Sequence, residues 1–273
     1  MNNEIIGVGW MKIRTKEDRY DMIRTEAQAF YANGTKGAIR AVNAMRQMQT
    51  RDLIWTRLDG VYYLCKVGEK LWKDRVITAE HERLDLCNFV SAKWLKIGTE
   101  DEVPGKAIAS FRARGSVQRV RDIEEISKRV WNAKWGNKDY ETVQMSIRDI
   151  WGMLSADETE SLVLLYLQNK GYYIYATTLK RDTSEIECVM VKNDGSHLLF
   201  PQIKTGNTGL SGNDYNKFTE DGNRVLLFAT SENYDKNTNP LIEYLTKHEM
   251  GKFVLGRREI LPKSVLHWMD EII

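Results

Sequence analysis

The chain has 273 residues, 42% of them hydrophobic and 29% charged, so it is long enough for two domains that each bury a core. No stretch approaches the 18 or more apolar residues of a membrane span, and the N-terminus lacks the basic start of a secretory signal. The three cysteines, Cys65, Cys87 and Cys188, are an odd number without CxxC spacing, which argues against a disulfide framework or a zinc ribbon. These features predict a cytoplasmic protein without a membrane partner.

The charge is unevenly distributed along the chain. Residues 1–150 contain 27 basic and 21 acidic residues, a net charge of +6, whereas residues 151–273 contain 13 and 17, a net charge of −4. A positive half suits a polyanion, because each neutralised phosphate releases counterions. The densest basic stretch, 111–122, supplies the candidate DNA-binding residues Arg112, Arg114, Arg119 and Arg121.

The first half has a mixed pattern of helix and strand signals. Predicted helices lie at 16–32 and 36–48, and predicted strands lie at 52–57, 61–67, 88–97 and 107–111. The turn residues Asp59 and Gly60 make the first two strands a hairpin. Short strands with aromatic residues along them predict a small curled sheet or barrel. Residues 117–150 are predicted to form a helical connector.

The second half begins with a strong helix signal. Ser155 and Glu158 form a capping box, and the helix that follows is predicted to end at Gly171. Asp194-Gly195 is typical of a hairpin turn. Predicted strands lie at 172–177, 186–191, 198–204 and 225–230, and later helices at 239–248 and 263–272. This order predicts an α/β or α+β layered domain with a mixed sheet flanked by helices.

Several common chemistries have little support in the sequence. The four histidines show no HxH or HxxxH spacing, which disfavours a zinc hydrolase and a Ser-His-Asp triad. The glycines form neither a GxGxxG fingerprint nor a P-loop.

One set of polar residues follows the predicted elements of the second half. Glu160 lies on the capped helix, Glu187 on a strand, and Gln202 and Lys204 on the next strand. Positions 202 and 204 project from the same face of their strand. Carboxylate and amide oxygens suit Mg²⁺, which takes few protein ligands, and a neighbouring lysine can orient water or stabilise phosphate charge.

These residues lie, in chain order, in three segments of the sequence: ETESLVLLYLQNKGYYIYATT, SEIECVMV and LLFPQIKTG. Together the segments resemble the PD-(D/E)XK nuclease superfamily, specifically its Mrr-like restriction endonucleases. The resemblance covers about residues 155–230. It implies a restriction-endonuclease-like fold, a Mg²⁺ cofactor for which Mn²⁺ can substitute, and Glu160, Glu187, Gln202 and Lys204 as catalytic residues. The first three would hold the metal.

Two departures from the family pattern keep alternatives open. Glu187 replaces the usual aspartate, and Gln202 replaces the second acid. Asp182 is an alternative acid, although Glu187 fits the hairpin better. A DNA-binding protein of the same fold without catalysis is therefore a competing prediction.

The N-terminal half resembles PUA/EVE-like modules, through GVGWMKI and TRDLIWTRLDGVYYLCKV. This resemblance implies a small barrel that accepts a modified base. Trp10, Trp55 and Tyr62 are the candidates for base recognition, since stacking contributes roughly 1–3 kcal/mol per base. Tyr62 and Tyr63 alternate in direction, so only one of them can face a given pocket.

Together these predictions divide the chain into a PUA/EVE-like recognition domain at 1–115, a helical connector at 116–150 and a nuclease-like domain at 151–273. The predicted function is a restriction-type DNA endonuclease, which the resemblance links to defence against foreign DNA and to modified bases. Cutting both strands of a duplex requires two active sites, so a homodimer is expected. An RNA-directed nuclease or binding protein is a further alternative.

Overall fold

The computed structural model describes residues 5–17, 19–31, 35–112, 115–179 and 185–272. The chain divides into two compact units, Met1–Val143 and Gln144–Ile273. Each unit combines helices with strands, in agreement with the predicted mixed α/β class. Across the described ranges, no helix combines the length and the apolar character needed to cross a membrane.

The first unit is built on an antiparallel sheet with the strand order β1-β4-β3-β2. A register shift between Tyr62 and Tyr63 accompanies the curl of this sheet. Its two edges, β1 and β2, do not pair within the described residues, so the predicted barrel is realised as a half-barrel. The elements in chain order are β1 (Ile5–Val8), α1 (Tyr20–Phe30), α2 (Thr35–Gln47), β2 (Leu53–Leu58), β3 (Val61–Val67), α3 (Ala79–Arg83), β4 (Asn88–Gly98), α4 (Gly105–Ser110) and α5 (Glu124–Trp135).

Local signals in this unit explain the elements that were predicted correctly. Asp59 and Gly60 both have positive φ, 49° and 79°, as a type I′ hairpin turn requires, and they join β2 to β3. The apolar side of α2, including Ala38, Val42 and Met45, packs into a cluster with residues of the sheet.

Two predictions for this unit were wrong. Residues 107–111 were predicted as a strand but belong mainly to α4, because a short apolar run is ambiguous and alanine favours helix. Within the predicted helical stretch 117–150, α5 ends where Gly136 takes a left-handed conformation, and a 3₁₀ turn, Ile147–Gly152, follows only later. The boundary between the units falls after Val143, inside the predicted connector.

The second unit contains a five-stranded mixed sheet with the order β11-β9-β7-β6-β5. The pairs β7–β9 and β9–β11 are parallel, whereas β5–β6 and β6–β7 are antiparallel. A separate two-residue parallel pair joins β8 to β10. The elements in chain order are α6 (Ala156–Asn169), β5 (Tyr172–Ile174), β6 (Met190–Lys192), β7 (Leu198–Lys204), β8 (Leu210–Ser211), β9 (Arg224–Ala229), β10 (Tyr234–Asp235), β11 (Ile242–Leu245), α7 (Lys247–Gly256) and α8 (Lys263–Ile272).

The start of α6 forms as the sequence predicts. The Ser155 hydroxyl accepts the Glu158 N–H at 3.2 Å, and the Glu158 carboxylate accepts the Ser155 N–H at 2.8 Å. Gly171 follows the helix with φ 83°, a conformation that suits glycine. The helix then packs against β5 and β7.

The helix predicted at 239–248 was wrong. Residues Ile242–Leu245 form β11, which runs parallel to β9, and α7 begins only at Lys247. Thr246 caps α7, because its hydroxyl accepts the Glu249 N–H.

Strand β6 is shorter than the predicted 186–191, and Pro201 on β7 explains why. Proline has no N–H to donate to a neighbouring strand. Beside the proline the ladder is reduced, among the described residues, to one backbone bond, in which the Glu187 N–H donates to the Pro201 carbonyl at 2.9 Å. The ladder between β6 and β7 therefore starts only at Met190.

Candidate active site

Strand β7 carries two of the predicted site residues on one face. Gln202 pairs in register with Leu227 of β9, and Lys204 pairs with Ala229. Gln202 is fully buried, whereas Lys204 is half-buried. Because positions two apart share a face of a strand, the amide lies further inside the sheet and the lysine lies nearer its end.

The side-chain amide of Gln202 is buried, and no described residue forms a hydrogen bond with it. Neither Oε1 nor Nε2 has a hydrogen-bond partner among the residues that the structure describes. The same face of the sheet carries an apolar cluster formed by Leu210, Tyr215, Val225, Leu227, Ala229 and Ile242, called here the Leu227 cluster. An unpaired buried polar group costs about 1–3 kcal/mol. The amide therefore has hydrogen-bonding capacity that no described residue uses.

Glu187 is held beside β7 by the backbone. Its N–H donates to the Pro201 carbonyl at 2.9 Å, and its Oε1 accepts the Ile203 N–H at 3.2 Å. Glu187 lies three residues before β6, not on that strand as predicted. The carboxylate takes the place that a strand carbonyl would occupy, and no hydrogen bond to its Oε2 occurs within the described part of the chain.

Glu160 approaches the same place from α6. Burial raises the pKa of its carboxyl group, the charges of Glu187 and Asp157 raise it further, and Lys204 lowers it. Glu160 therefore lies within electrostatic range of Glu187 and Lys204. Gln202 and Lys204 thus share a strand face, and Glu187 is bonded to the backbone of the residue between them.

The other ionisable groups of this site respond to the same environment. Burial raises the pKa of Glu187, while the hydrogen bond from Ile203 and the charge of Lys204 oppose that rise. Burial, with the charges of Glu160 and Glu187, raises the pKa of Cys188 to about 12. The thiol is therefore protonated at neutral pH.

The polar groups of this site are of the chemical kind that a hard divalent cation binds. No group of three or more His, Cys, Asp or Glu side chains arranged for a metal occurs among the described residues. The set here consists of two carboxylates, Glu160 and Glu187, and the unpartnered amide of Gln202. Mg²⁺ accepts such oxygen ligands and keeps several waters, so few protein ligands are needed. These three residues would hold it, and the bound ion would supply Lewis-acid stabilisation of phosphate charge.

Added Mg²⁺ is expected to stabilise the second unit in a pH-dependent way. The raised pKa values mean that Glu160 and Glu187 favour the folded state below their ordinary value of 4.5, and that this contribution is lost as the pH rises through the raised values. A cation that binds the ionised pair offsets that loss, by about 2.7 kcal/mol at a hundred times its Kd. Thermal unfolding at pH 7.5 should shift upward, and the shift should vanish as the pH falls through the raised pKa values.

KCl of matched ionic strength is the control for this measurement, and Glu160→Gln should reduce the Mg²⁺ shift. A shift of equal size in the Glu160→Gln variant, or one independent of pH, would contradict a site built on these carboxylates.

The predicted base-recognition residues of the first unit are used in packing. Trp10 lies edge-on to Tyr31, with ring centroids 5.1 Å apart, and packs against the cluster under α2. The indole N–H of Trp55 donates to the Ser127 hydroxyl of α5 at 2.9 Å. Tyr62 is fully buried and donates its hydroxyl to Glu100 at 3.2 Å, so it offers no ring face to a base.

The predicted basic stretch is largely on the surface. Arg112, Arg119 and Arg121 are exposed. Arg114 lies outside the described residues, as does the alternative acid Asp182.

Three residues near the site were not predicted. Tyr215 is buried in the Leu227 cluster. Burial is the main cause of its raised pKa, and the negative charges of Asp214, Glu187 and Glu185 raise the pKa further. Lys217 forms an ion pair with Glu185, with Nζ and Oε2 2.8 Å apart. The spacing Glu185-x-Glu187 is a signal in the sequence for a second acid, but nothing local links it to residue 217.

Comparisons with protein-family models, with curated proteins and with solved structures gave no significant match. The functional interpretation therefore depends on the geometry and charge of the site.

Proposed function

We propose that the second unit is a divalent-metal-dependent phosphodiesterase that acts as a DNA endonuclease. The observation that carries this proposal is the buried amide of Gln202, which has no hydrogen-bond partner among the described residues. It lies on the same strand face as Lys204, and the Glu187 carboxylate is bonded to the backbone of the adjacent residue Ile203.

Each residue has a role in this hydrolysis. Glu160, Glu187 and Gln202 would bind Mg²⁺, with Mn²⁺ as a substitute, through carboxylate and amide oxygens. Lys204 donates hydrogen bonds to a non-bridging oxygen of the phosphate and stabilises the charge that builds there. A water oxygen bonds to phosphorus as the P–O bond to the leaving strand breaks, and a proton passes to that leaving oxygen. The protein residues position the phosphate and stabilise its charge.

The first unit is proposed to bind the DNA. Residues 1–150 carry a net charge of +6, and Arg112, Arg119 and Arg121 are exposed. Contacts of this kind to phosphates hold a duplex without reading its sequence. Recognition of a modified base and a role in defence against foreign DNA extend this proposal. Because a duplex has two strands, a homodimer is proposed as the active form.

Digestion of modified and unmodified duplex DNA, with Mg²⁺ or Mn²⁺ titrated in, tests the proposed function. Cleavage should require the cation and should stop in EDTA. Glu187→Gln is expected to lower the rate by about 100-fold, since it removes a charged ligand and weakens stabilisation of the phosphate charge. Glu259→Gln is the matched control, because Glu259 is exposed and pairs with Arg257 near α8.

Three outcomes would overturn this proposal. Equal cleavage by the unmutated chain and Glu187→Gln would exclude the proposed site. Tight DNA binding without cleavage in any cation would identify a DNA-binding protein of the same fold. Preference for structured RNA over duplex DNA at the same salt concentration would identify an RNA-directed protein.

A further inference from the structure

A surface ion pair lies beside the candidate active site. The ammonium of Lys217 and the carboxylate of Glu185 are 2.8 Å apart, and both side chains are more than half exposed. Exposed pairs of this kind contribute only about 0–1 kcal/mol to stability. The pair can therefore open at little cost when another anion competes for the lysine.

Each member of this pair is held near the candidate active site by a separate part of the chain. Glu185 precedes the site residue Glu187 by two positions, so their Cα atoms are at most about 7 Å apart. On the other side, Phe218 packs against Phe200 of β7, with ring centroids 5.4 Å apart. The Lys217 ammonium lies over the Phe218 ring, 5.2 Å from its centroid. Through Phe218, Lys217 is thus held beside the strand that carries Gln202 and Lys204.

The surroundings of Lys217 are acidic. Tyr215, two residues earlier, has a pKa raised by burial and by the charges of Asp214, Glu187 and Glu185. A nucleic-acid strand with one phosphate at Lys204 would bring its neighbouring phosphates toward the negative charges of these three acidic residues. Repulsion there would oppose binding unless a cation faces the backbone. Lys217 supplies such a cation once it exchanges Glu185 for a phosphate oxygen.

We propose that Lys217 forms a second phosphate-binding subsite, which takes a phosphate next to the cleaved one on the same nucleic-acid strand, and that Glu185 occupies this lysine when no substrate is bound. The subsite rests on the proposed function, because it assumes that a phosphodiester strand lies across the site. It assigns opposite roles to the two members of the ion pair: Lys217 attracts the strand, and Glu185 competes with it.

DNA binding by full-length variants tests the subsite. All proteins carry Lys204→Ala so that the duplex stays intact, and affinity is measured by fluorescence anisotropy in Mg²⁺ at several salt concentrations. Lys217→Ala should weaken binding about three- to tenfold and reduce the slope of log K against log salt by about 0.9, the loss of one phosphate contact. Glu185→Gln should instead tighten binding. Lys252→Ala, on the exposed side of α7, is the matched control and should change neither quantity.

An unchanged salt slope in Lys217→Ala would overturn the subsite. So would a loss of affinity in Glu185→Gln as large as that in Lys217→Ala, because an ion pair with only a structural role predicts the same effect from either partner. Thermal unfolding of each variant confirms that the comparison is between folded proteins. A chain that fails to cleave, yet binds DNA with the expected Lys217 dependence, would refute the proposed function and retain Lys217 only as a phosphate contact.

Discussion

Lys204→Ala is expected to lower the rate of DNA cleavage by about 100-fold or more, with a much smaller change in DNA affinity. The lysine is half-buried at the end of β7, where a phosphate can reach it. Removing one preorganised donor to charge that develops in the transition state costs about 100- to 1000-fold in rate. Single-turnover cleavage with excess enzyme measures the chemical step, and anisotropy measures binding separately.

Lys170→Ala is the control for this substitution. Lys170 caps the C-terminal end of α6, ten residues after Glu160, which places it about 15 Å away along the helix axis. Its ammonium lies over the Tyr166 ring, and its removal should leave cleavage unchanged. A Lys204→Ala variant as active as the unmutated protein would sink the assignment of this lysine to catalysis, whatever the fold.

Gln202→Met is expected to stabilise the metal-free second unit while abolishing cleavage. Methionine has a similar length but no hydrogen-bonding group to satisfy, so the unpaired amide is removed from the apolar surroundings of the Leu227 cluster. The free energy of unfolding should rise by about 1–3 kcal/mol, the cost of an unpaired buried polar group. Urea unfolding with and without Mg²⁺ measures both the gain and the loss of the metal response.

Gln202→Glu provides the matched comparison. It keeps an oxygen ligand and adds a negative charge, so Mg²⁺ should still stabilise the fold. Without the cation it should be less stable than the unmutated protein, because a carboxylate replaces a neutral amide in a buried position. A Gln202→Met variant that is less stable than the unmutated protein would show that the amide serves packing and not ligation.

The elements predicted correctly have strong local signals. The capping box at Ser155 and Glu158 begins α6, and Gly171 follows its end, as the sequence indicates. Strand β7 was predicted at 198–204 and has those bounds, because a turn at Asp194-Gly195 precedes it and apolar residues fill it. In each case the determining contacts lie within a few residues of one another.

The failures have a common physical cause. Residues 242–245 resemble part of a helix, and only pairing with β9, a partner distant in sequence, makes them a strand. The reverse holds for α4. Its apolar run resembles a strand, but it pairs with no described strand and forms a helix instead. Short apolar runs take their conformation from tertiary contacts, which single-sequence patterns do not contain.

The candidate site was only partly predictable. The two-residue spacing of Gln202 and Lys204 already places them on one face of a strand. That the Gln202 amide has no partner within the described chain depends on the apolar residues around it, which come from separate parts of the second unit. Lys217 could not be predicted as part of the site, because 30 residues separate it from Glu187 in sequence.

Pro201 has a consequence for how this protein can vary. By ending the ladder of β6, the proline leaves the Ile203 N–H to a side chain, and Glu187 is anchored to β7 by two hydrogen bonds. These two hydrogen bonds to β7, and not the course of the connection from β5, therefore set the position of the Glu187 carboxylate. An insertion or deletion of one residue between Glu187 and Met190 would therefore shift the anchor itself.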